Sequence, residues 1–204
     1  MAILLHTCCG PCLSGSYPLL EPIAGPGNTA LLWENPNIHP FVEFRSRQAS
    51  FIKMAEILGL QVIAGDTEYG LERFLSEIAG EHGPARCATC YRMRLTAAAR
   101  AAARLSFEAF TTTLLISPYQ NHELLIATGE EAARQTGVKF HYTDFRPGFR
   151  QSHELARQHE LYRQKYCGCI FSEQERFGND KRYLNPFREN CVKIDTGSET
   201  GVKS

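Results

Sequence analysis

Short apolar runs alternate with segments of helical spacing along most of this 204-residue chain, and this alternation constrains its fold more than any other feature. The predicted strands are residues 3–6, 29–34, 61–64, 109–116 and 138–142. The predicted helices are residues 42–58, 71–79, 87–105, 119–135, 151–160 and 172–177. Strands that alternate with helices favour an α/β fold, and five strands at this spacing predict a doubly wound, mainly parallel sheet.

Composition is typical of a soluble globular protein, with 43% hydrophobic and 22% charged residues. We predict one catalytic domain over residues 1–177 and a C-terminal tail of mixed polar composition over residues 178–204. No apolar run approaches the roughly 18 residues of a transmembrane helix. No signal-peptide pattern precedes Cys8. We therefore expect a cytoplasmic protein with no membrane partner.

If the strands are ordered 3-2-1-4-5 in the sheet, the order reverses between strands 1 and 4. Ligands of doubly wound sheets bind at such a reversal, beyond the carboxyl ends of the strands. The segment HTCCGPC follows strand 1, and SPYQNH, residues 117–122, follows strand 4. We expect both segments to border one crevice.

Seven of the eight cysteines fall into three groups, which are Cys8, Cys9 and Cys12, then Cys87 and Cys90, then Cys167 and Cys169. Cys191 stands alone, and we interpret it as incidental. In a reducing compartment, clustered cysteines are more often metal ligands or redox groups than structural disulfides. The grouping therefore predicts metal or redox chemistry.

The pair Cys87 and Cys90 lies at the predicted start of a helix, where the N-terminus favours thiolates. One zinc ion takes four ligands and would leave three clustered thiols over. A [4Fe-4S] cluster would be satisfied by this pair and two cysteines of the first group. The pair Cys167 and Cys169, separated by one glycine, fits either an easily reduced disulfide or a second metal site shared with Cys12.

Charge is distributed unevenly along the chain. Residues 1–85 carry 4 basic and 9 acidic residues, whereas residues 86–204 carry 18 basic and 13 acidic residues. This asymmetry favours an anionic partner for the second part, such as nucleic acid. An ordinary solvated surface would produce the same counts.

Six motifs follow one another along the chain, in the order LLHTCCGPC, NPNIHP, CATCYRMRL, FTTTLLISPYQNHE, DFRPG and YRQKYCGCIFSEQER. Together they resemble the cobalamin-independent epoxyqueuosine reductases, the QueH-type family. The resemblance extends from about residue 3 to about residue 176. It implies a fold similar to the nucleotide α-hydrolase-like (HUP) sheets.

The resemblance also implies an oxidoreductase of tRNA. Its reaction is the last step of queuosine biosynthesis, the reductive deoxygenation of epoxyqueuosine at the wobble position, with electrons from a donor that the sequence does not identify. It further implies a [4Fe-4S] cluster and an additional iron ion. Carried onto this chain, the cluster ligands are Cys8, Cys9, Cys87 and Cys90. The redox-active pair is Cys167 and Cys169, and the candidates for the additional iron are Cys12, Cys167 and Cys169, with Cys9 as a candidate shared ligand.

Removing an epoxide oxygen as water requires two electrons and two protons. The candidate proton donors are His6, His39 and Asp144. The arginines expected to face the tRNA backbone are Arg86, Arg92 and Arg94.

Two other classes of protein stay open. A tRNA sulfur-transfer enzyme would need an ATP-binding glycine–serine loop where this chain has HTCCGPC. A non-catalytic, zinc-binding nucleic-acid module would leave three clustered cysteines without a role.

Overall fold

A computed structural model describes residues 1–183, so Cys191 and the predicted tail beyond residue 183 lie outside the described residues. The strands are β1 Ile3–His6, β2 Thr29–Trp33, β3 Gln61–Ala64, β4 Ala109–Thr112 and β5 Lys139–Phe140. Their order in the sheet is β3-β2-β1-β4-β5, and every pairing is parallel. The predicted α/β class and doubly wound arrangement are confirmed, and they are consistent with a HUP-like fold. The strand order is the one on which the expected site at the reversal depends.

Within residues 1–183, seven α-helices flank the sheet: α1 Gly10–Ala24, α2 Phe41–Leu58, α3 Leu71–Ile78, α4 Gly83–Arg104, α5 His122–Thr136, α6 Phe149–Gln158 and α7 Ile170–Phe177. Every residue of β1, β2 and β4 is buried, as expected for strands covered on both faces. None of the helices in the described residues is long and apolar enough to cross a membrane.

Helix α1 was not predicted, because its two internal prolines, Pro18 and Pro22, interrupt the helical pattern. The helix forms nonetheless, with Pro11 in its first turn, where proline is favoured. As a consequence, HTCCGPC is not a loop. Its last three residues form the first turn of a buried helix.

The predicted fourth strand, residues 109–116, is wrong in its second half. Residues 113–116 form a 3₁₀ helix, because the hydroxyl of Thr112 accepts a hydrogen bond from the backbone N–H of Leu114 at 3.1 Å. The turn directs Thr113 towards the cysteines that follow β1, as its contacts with Cys8 show.

Helix α4 begins at Gly83, four residues before the predicted start, with Pro84 in its first turn. Cys87 and Cys90 therefore lie in the second turn and beyond, where the backbone N–H groups are already paired. The expectation that the helix N-terminus stabilises their thiolates is wrong, since that effect is confined to the first turn.

Candidate metal centre

The three cysteines after β1 converge because Cys9 is the N-cap of α1. Its thiol accepts a hydrogen bond from the backbone N–H of Cys12 at 3.3 Å. The Sγ atoms of Cys8 and Cys9 lie 3.8 Å apart, and the Sγ atoms of Cys8, Cys9 and Cys12 all lie within 4.8 Å of one another. A side chain at Gly10 would meet the backbone oxygen of Ser50 at 2.3 Å, so only glycine fits at the start of this helix.

Of these three thiols, Cys8 is the one whose ionised form is favoured. Hydrogen bonds from Cys12 and Cys9 hold the pKa of Cys8 well below its ordinary value, and Arg94 and the Thr113 hydroxyl support this shift. Burial raises the pKa of Cys9. The pKa of Cys12 is raised by the hydrogen bonds that Cys12 makes with Cys8 and Cys9. Two buried sulfurs and the half-buried sulfur of Cys12, with one thiolate favoured among them, form a group that can hold a soft metal ion.

The cysteines of α4 lie beside the cysteines of the third group. Cys90 packs with Cys169 in a small buried cluster that includes Phe74 and Ile78. Burial raises the pKa of Cys90 to about 12, and nearby Cys167 and Cys169 add to the shift. Because burial makes a thiolate unfavourable at Cys90, this sulfur needs a metal or a cation beside it to be anionic.

Arg47 on α2 fixes the segment that carries the third group. Its guanidinium donates to the carbonyl oxygens of Cys167 at 2.9 Å and Tyr166 at 3.0 Å, and it forms a buried ion pair with Glu43 at 2.7 Å. Gly168 has φ +147°, a conformation that favours glycine, and its oxygen accepts from the backbone N–H of His39 at 2.8 Å. The cysteine segment is therefore held by α2 and by the loop before it.

The two cysteines of this segment differ in exposure. Cys169 is buried and caps α7 through a hydrogen bond from the backbone N–H of Ser172 at 3.4 Å, whereas Cys167 is exposed. The side-chain amide of Gln120, in the segment after β4, donates to the Sγ of Cys167 at 3.4 Å. All seven cysteines of the described residues are free thiols.

Residues at and after the end of β4 contact the cysteines of two groups. Thr113, just beyond β4, donates to the Sγ of Cys8 at 3.4 Å, and Gln120 reaches Cys167. The amide of Gln164 donates to the Sγ of Cys12 at 3.7 Å, which brings the chain before Cys167 against α1. The sulfurs of Cys12, Cys167 and Cys169 are not a three-donor group within 4.8 Å in the described residues.

The two candidate histidines are buried and neutral. His6 donates from Nε2 to the Glu34 carbonyl at 3.1 Å and accepts at Nδ1 from the Thr112 hydroxyl at 2.8 Å. His39 donates from Nε2 to the Pro36 carbonyl at 3.0 Å. Burial lowers the pKa of His6 to about 3 and that of His39 to about 4.

Asp144 is ionised rather than protonated near neutral pH. Two hydrogen bonds from the Arg146 guanidinium, at 2.7 and 2.8 Å, lower its pKa to about 2. The role of all three candidates as proton donors stays a prediction.

Two of the arginines expected to face tRNA do not reach the surface. Arg94 is 2% exposed and Arg86 is 4% exposed, and Arg86 pairs with Glu175 at 2.9 Å; only Arg92 is exposed. The sequence contained a signal for Arg94, because it follows Cys90 by four residues and so shares its helix face. No sequence pattern identified Arg47, Thr113 or Gln120, whose positions depend on tertiary contacts.

The fold and the site define a doubly wound α/β protein whose cysteine-rich centre can hold a metal. More particularly, the chain belongs to the family described as epoxyqueuosine reductase QueH, whose model matches residues 3–175. The epoxyqueuosine reductase QueH of Dehalococcoides mccartyi is 38% identical over 176 residues, which cover 86% of this chain and 94% of that protein. The protein of the same name from Thermotoga maritima is 33% identical, over 85% of this chain and 91% of its own length. That from Helicobacter pylori is 37% identical over 83% of this chain, which spans about half (49%) of that longer protein.

Proposed function

We propose that this protein is a cobalamin-independent epoxyqueuosine reductase, an oxidoreductase that converts epoxyqueuosine in tRNA to queuosine. The observation that carries the proposal is the group formed by Cys8, Cys9 and Cys12, whose sulfurs lie within 4.8 Å of one another directly after β1, at the reversal point of the sheet. Cys90 and Cys169, from two other parts of the chain, pack together in a second buried cluster. Membership of the family supports the substrate, since the matched relatives bear the name of this reaction. The proposed substrate is tRNA with epoxyqueuosine at the wobble position, in the cytoplasm.

The residues present fit an iron–sulfur centre. Cysteine sulfur is the ligand that iron–sulfur clusters use, and the buried Nε of Arg94 has no hydrogen-bond partner, as expected for a donor that faces an anionic group. We propose that Cys8, Cys9, Cys87 and Cys90 hold a [4Fe-4S] cluster. The proposed ligands of an additional iron are Cys12, Cys167 and Cys169. When bound, such a centre supplies electrons singly and can act as a Lewis acid.

As the alternative to holding an additional iron, the thiols of Cys167 and Cys169 provide a balanced source of electrons and protons. Oxidation of the two thiols to one disulfide releases two electrons and two protons. The epoxide takes up both, loses its oxygen as water and becomes an alkene. An external electron donor, which the chain does not identify, then reduces the disulfide. Exposed Cys167 is the member of the pair that substrate can reach, while Cys169 is buried beside α7.

Serine substitution tests this role. We expect C167S and C169S each to abolish turnover on epoxyqueuosine tRNA, because the two-electron couple needs both sulfurs, while the visible spectrum of the cluster is retained. The matched control is C191S, a cysteine outside the three groups, which should keep wild-type turnover. Full activity in both C167S and C169S would contradict the role of the pair.

Metal analysis of anaerobically purified protein tests the cofactor. We expect about four acid-labile sulfides and about four to five irons per chain, since a [4Fe-4S] cluster accounts for four of each. Iron beyond four supports a second centre. Zinc without sulfide would contradict the reductase mechanism and favour a zinc-binding nucleic-acid module.

A further inference from the structure

Arg94 is a buried cation without a carboxylate partner among residues 1–183. Its side chain is 2% exposed, one Nη donates to the Asn35 side-chain oxygen at 2.7 Å, and its Nε has no partner. The other deeply buried arginines are balanced, because Arg47 pairs with Glu43 and Arg86 with Glu175. A buried charge is retained only where another charge or polar group compensates it, so the missing counterion of Arg94 requires an explanation.

The position of Arg94 indicates where that counterion lies. It follows Cys90 by one turn of α4 and therefore projects from the same helix face. Its partner Asn35 also donates to the carbonyl of Thr7 at 2.9 Å, the residue directly before Cys8. The guanidinium thus lies between the cysteines of α4 and those that follow β1.

We propose that Arg94 is the buried countercharge of the thiolate-bound iron–sulfur centre, and a positioning residue that donates hydrogen bonds to it and raises its reduction potential. The inference rests on the proposed function, because it requires that centre. A cluster with four thiolate ligands is anionic and becomes more negative on reduction. A fixed positive charge beside it stabilises the reduced form more than the oxidised form.

Substitution of Arg94 tests the charge. Anaerobically prepared R94M should take up iron and sulfide but show a more negative midpoint potential, measured by redox titration with electron paramagnetic resonance. R94K keeps the charge and should recover most of the wild-type potential. The matched control is R100M, an exposed position on the same helix with the same change in net charge, and it should titrate like wild type. A wild-type potential in R94M would overturn the proposal.

A second measurement does not depend on whether R94M folds. Wild-type protein labelled with ¹⁵N in its arginine guanidinium groups should show a ¹⁵N coupling to the reduced cluster in pulsed electron paramagnetic resonance. R94K should lose the part of this coupling that Arg94 contributes and keep any part from Arg86 or Arg47, which lie beside Cys87 and Cys9. The proposal is overturned if the labelled wild-type cluster shows no arginine coupling, or if the R94K spectrum is identical to that of wild type. Failure of the wild-type protein to bind iron and sulfide would overturn both this role and the proposed cofactor.

Discussion

Two buried histidines show how single residues are tuned by their surroundings. His6 and His39 are both 0% exposed, and burial holds the pKa values of their side chains at about 3 and about 4. In the unfolded chain a histidine has a pKa of about 6.5. The unfolded chain therefore binds protons that the folded protein excludes, and stability decreases as the pH falls below about 6.5 towards these folded values.

This linkage predicts the effect of replacing His39 with a residue that does not titrate. In the metal-free, reduced protein, each histidine should remove about 2 kcal/mol from the free energy of unfolding between pH 7 and pH 5. H39Q should show a pH dependence that is shallower by about this amount, as measured by urea unfolding at pH 5, 6 and 7. As a control, substitution of the part-exposed His159 should leave the slope nearly unchanged. An H39Q slope equal to that of wild type would contradict the neutral, buried state of His39.

At the scale of elements, the close packing of α1 on α6 positions the cysteine turn. A side chain at Gly15 of α1 would meet the Gly148 carbonyl at 2.6 Å and the Ser152 Cβ at 2.7 Å. A side chain at Gly148 would meet the Gly15 carbonyl at 2.2 Å. These two glycines let the backbone of α1 approach the chain at the start of α6. Cys12 lies in α1, so this contact also fixes the position of Cys12.

We therefore expect G15A to destabilise the protein by about 1–3 kcal/mol, the usual range for overpacking, despite the better helix propensity of alanine. Denaturant unfolding measures this change. The control Q151A alters an exposed position of α6 and should stay within about 0.5 kcal/mol of wild type. If G15A is as stable as wild type, the two helices are not in the contact described.

At the scale of the whole molecule, the basic excess of residues 86–204 would favour tRNA on the side of the sheet that α4 covers. The surface arginine beside the cysteine helix is Arg92, which is exposed and donates to the Thr89 hydroxyl at 3.1 Å. Arg86 and Arg94 are buried, so they are not available to contact phosphate groups at the surface. Phosphate contacts by surface arginines and lysines dominate the affinity of proteins for nucleic acid and make it depend on salt.

We expect R92Q to weaken tRNA binding and to reduce the slope of log affinity against log salt concentration by about one, as loss of a single phosphate contact predicts. Filter binding or fluorescence anisotropy over a range of salt concentrations gives both values. K53Q removes an exposed charge from α2 in the acidic part of the chain and should leave the slope unchanged. If R92Q leaves the slope of log affinity against log salt concentration unaltered, Arg92 does not contact the tRNA backbone.

Prediction from sequence succeeded where the information is local. Hydrophobic periodicity identified all five strands and most helices. The order of the strands in the sheet was assumed rather than derived. Prediction from periodicity was wrong where individual side chains override the pattern. The side chain of Thr112 starts a 3₁₀ turn and so shortens β4. Pro84 lies in the first turn of α4, which therefore begins earlier than predicted. The prolines inside α1 concealed a helix that buries its face against α2 and α6.

The candidate site divides in the same way. The spacing of the cysteines along the chain identified three groups, and the assumed topology led us to expect that the segments after β1 and β4 border one crevice. The sequence alone thus determined the α/β architecture and the grouping of the thiols. Only the tertiary structure decided that Arg94 lies inside, between two cysteine groups, and that Arg47 holds the third. The physical reason is that burial and pairing of a charge depend on residues distant in sequence, and no local pattern records them.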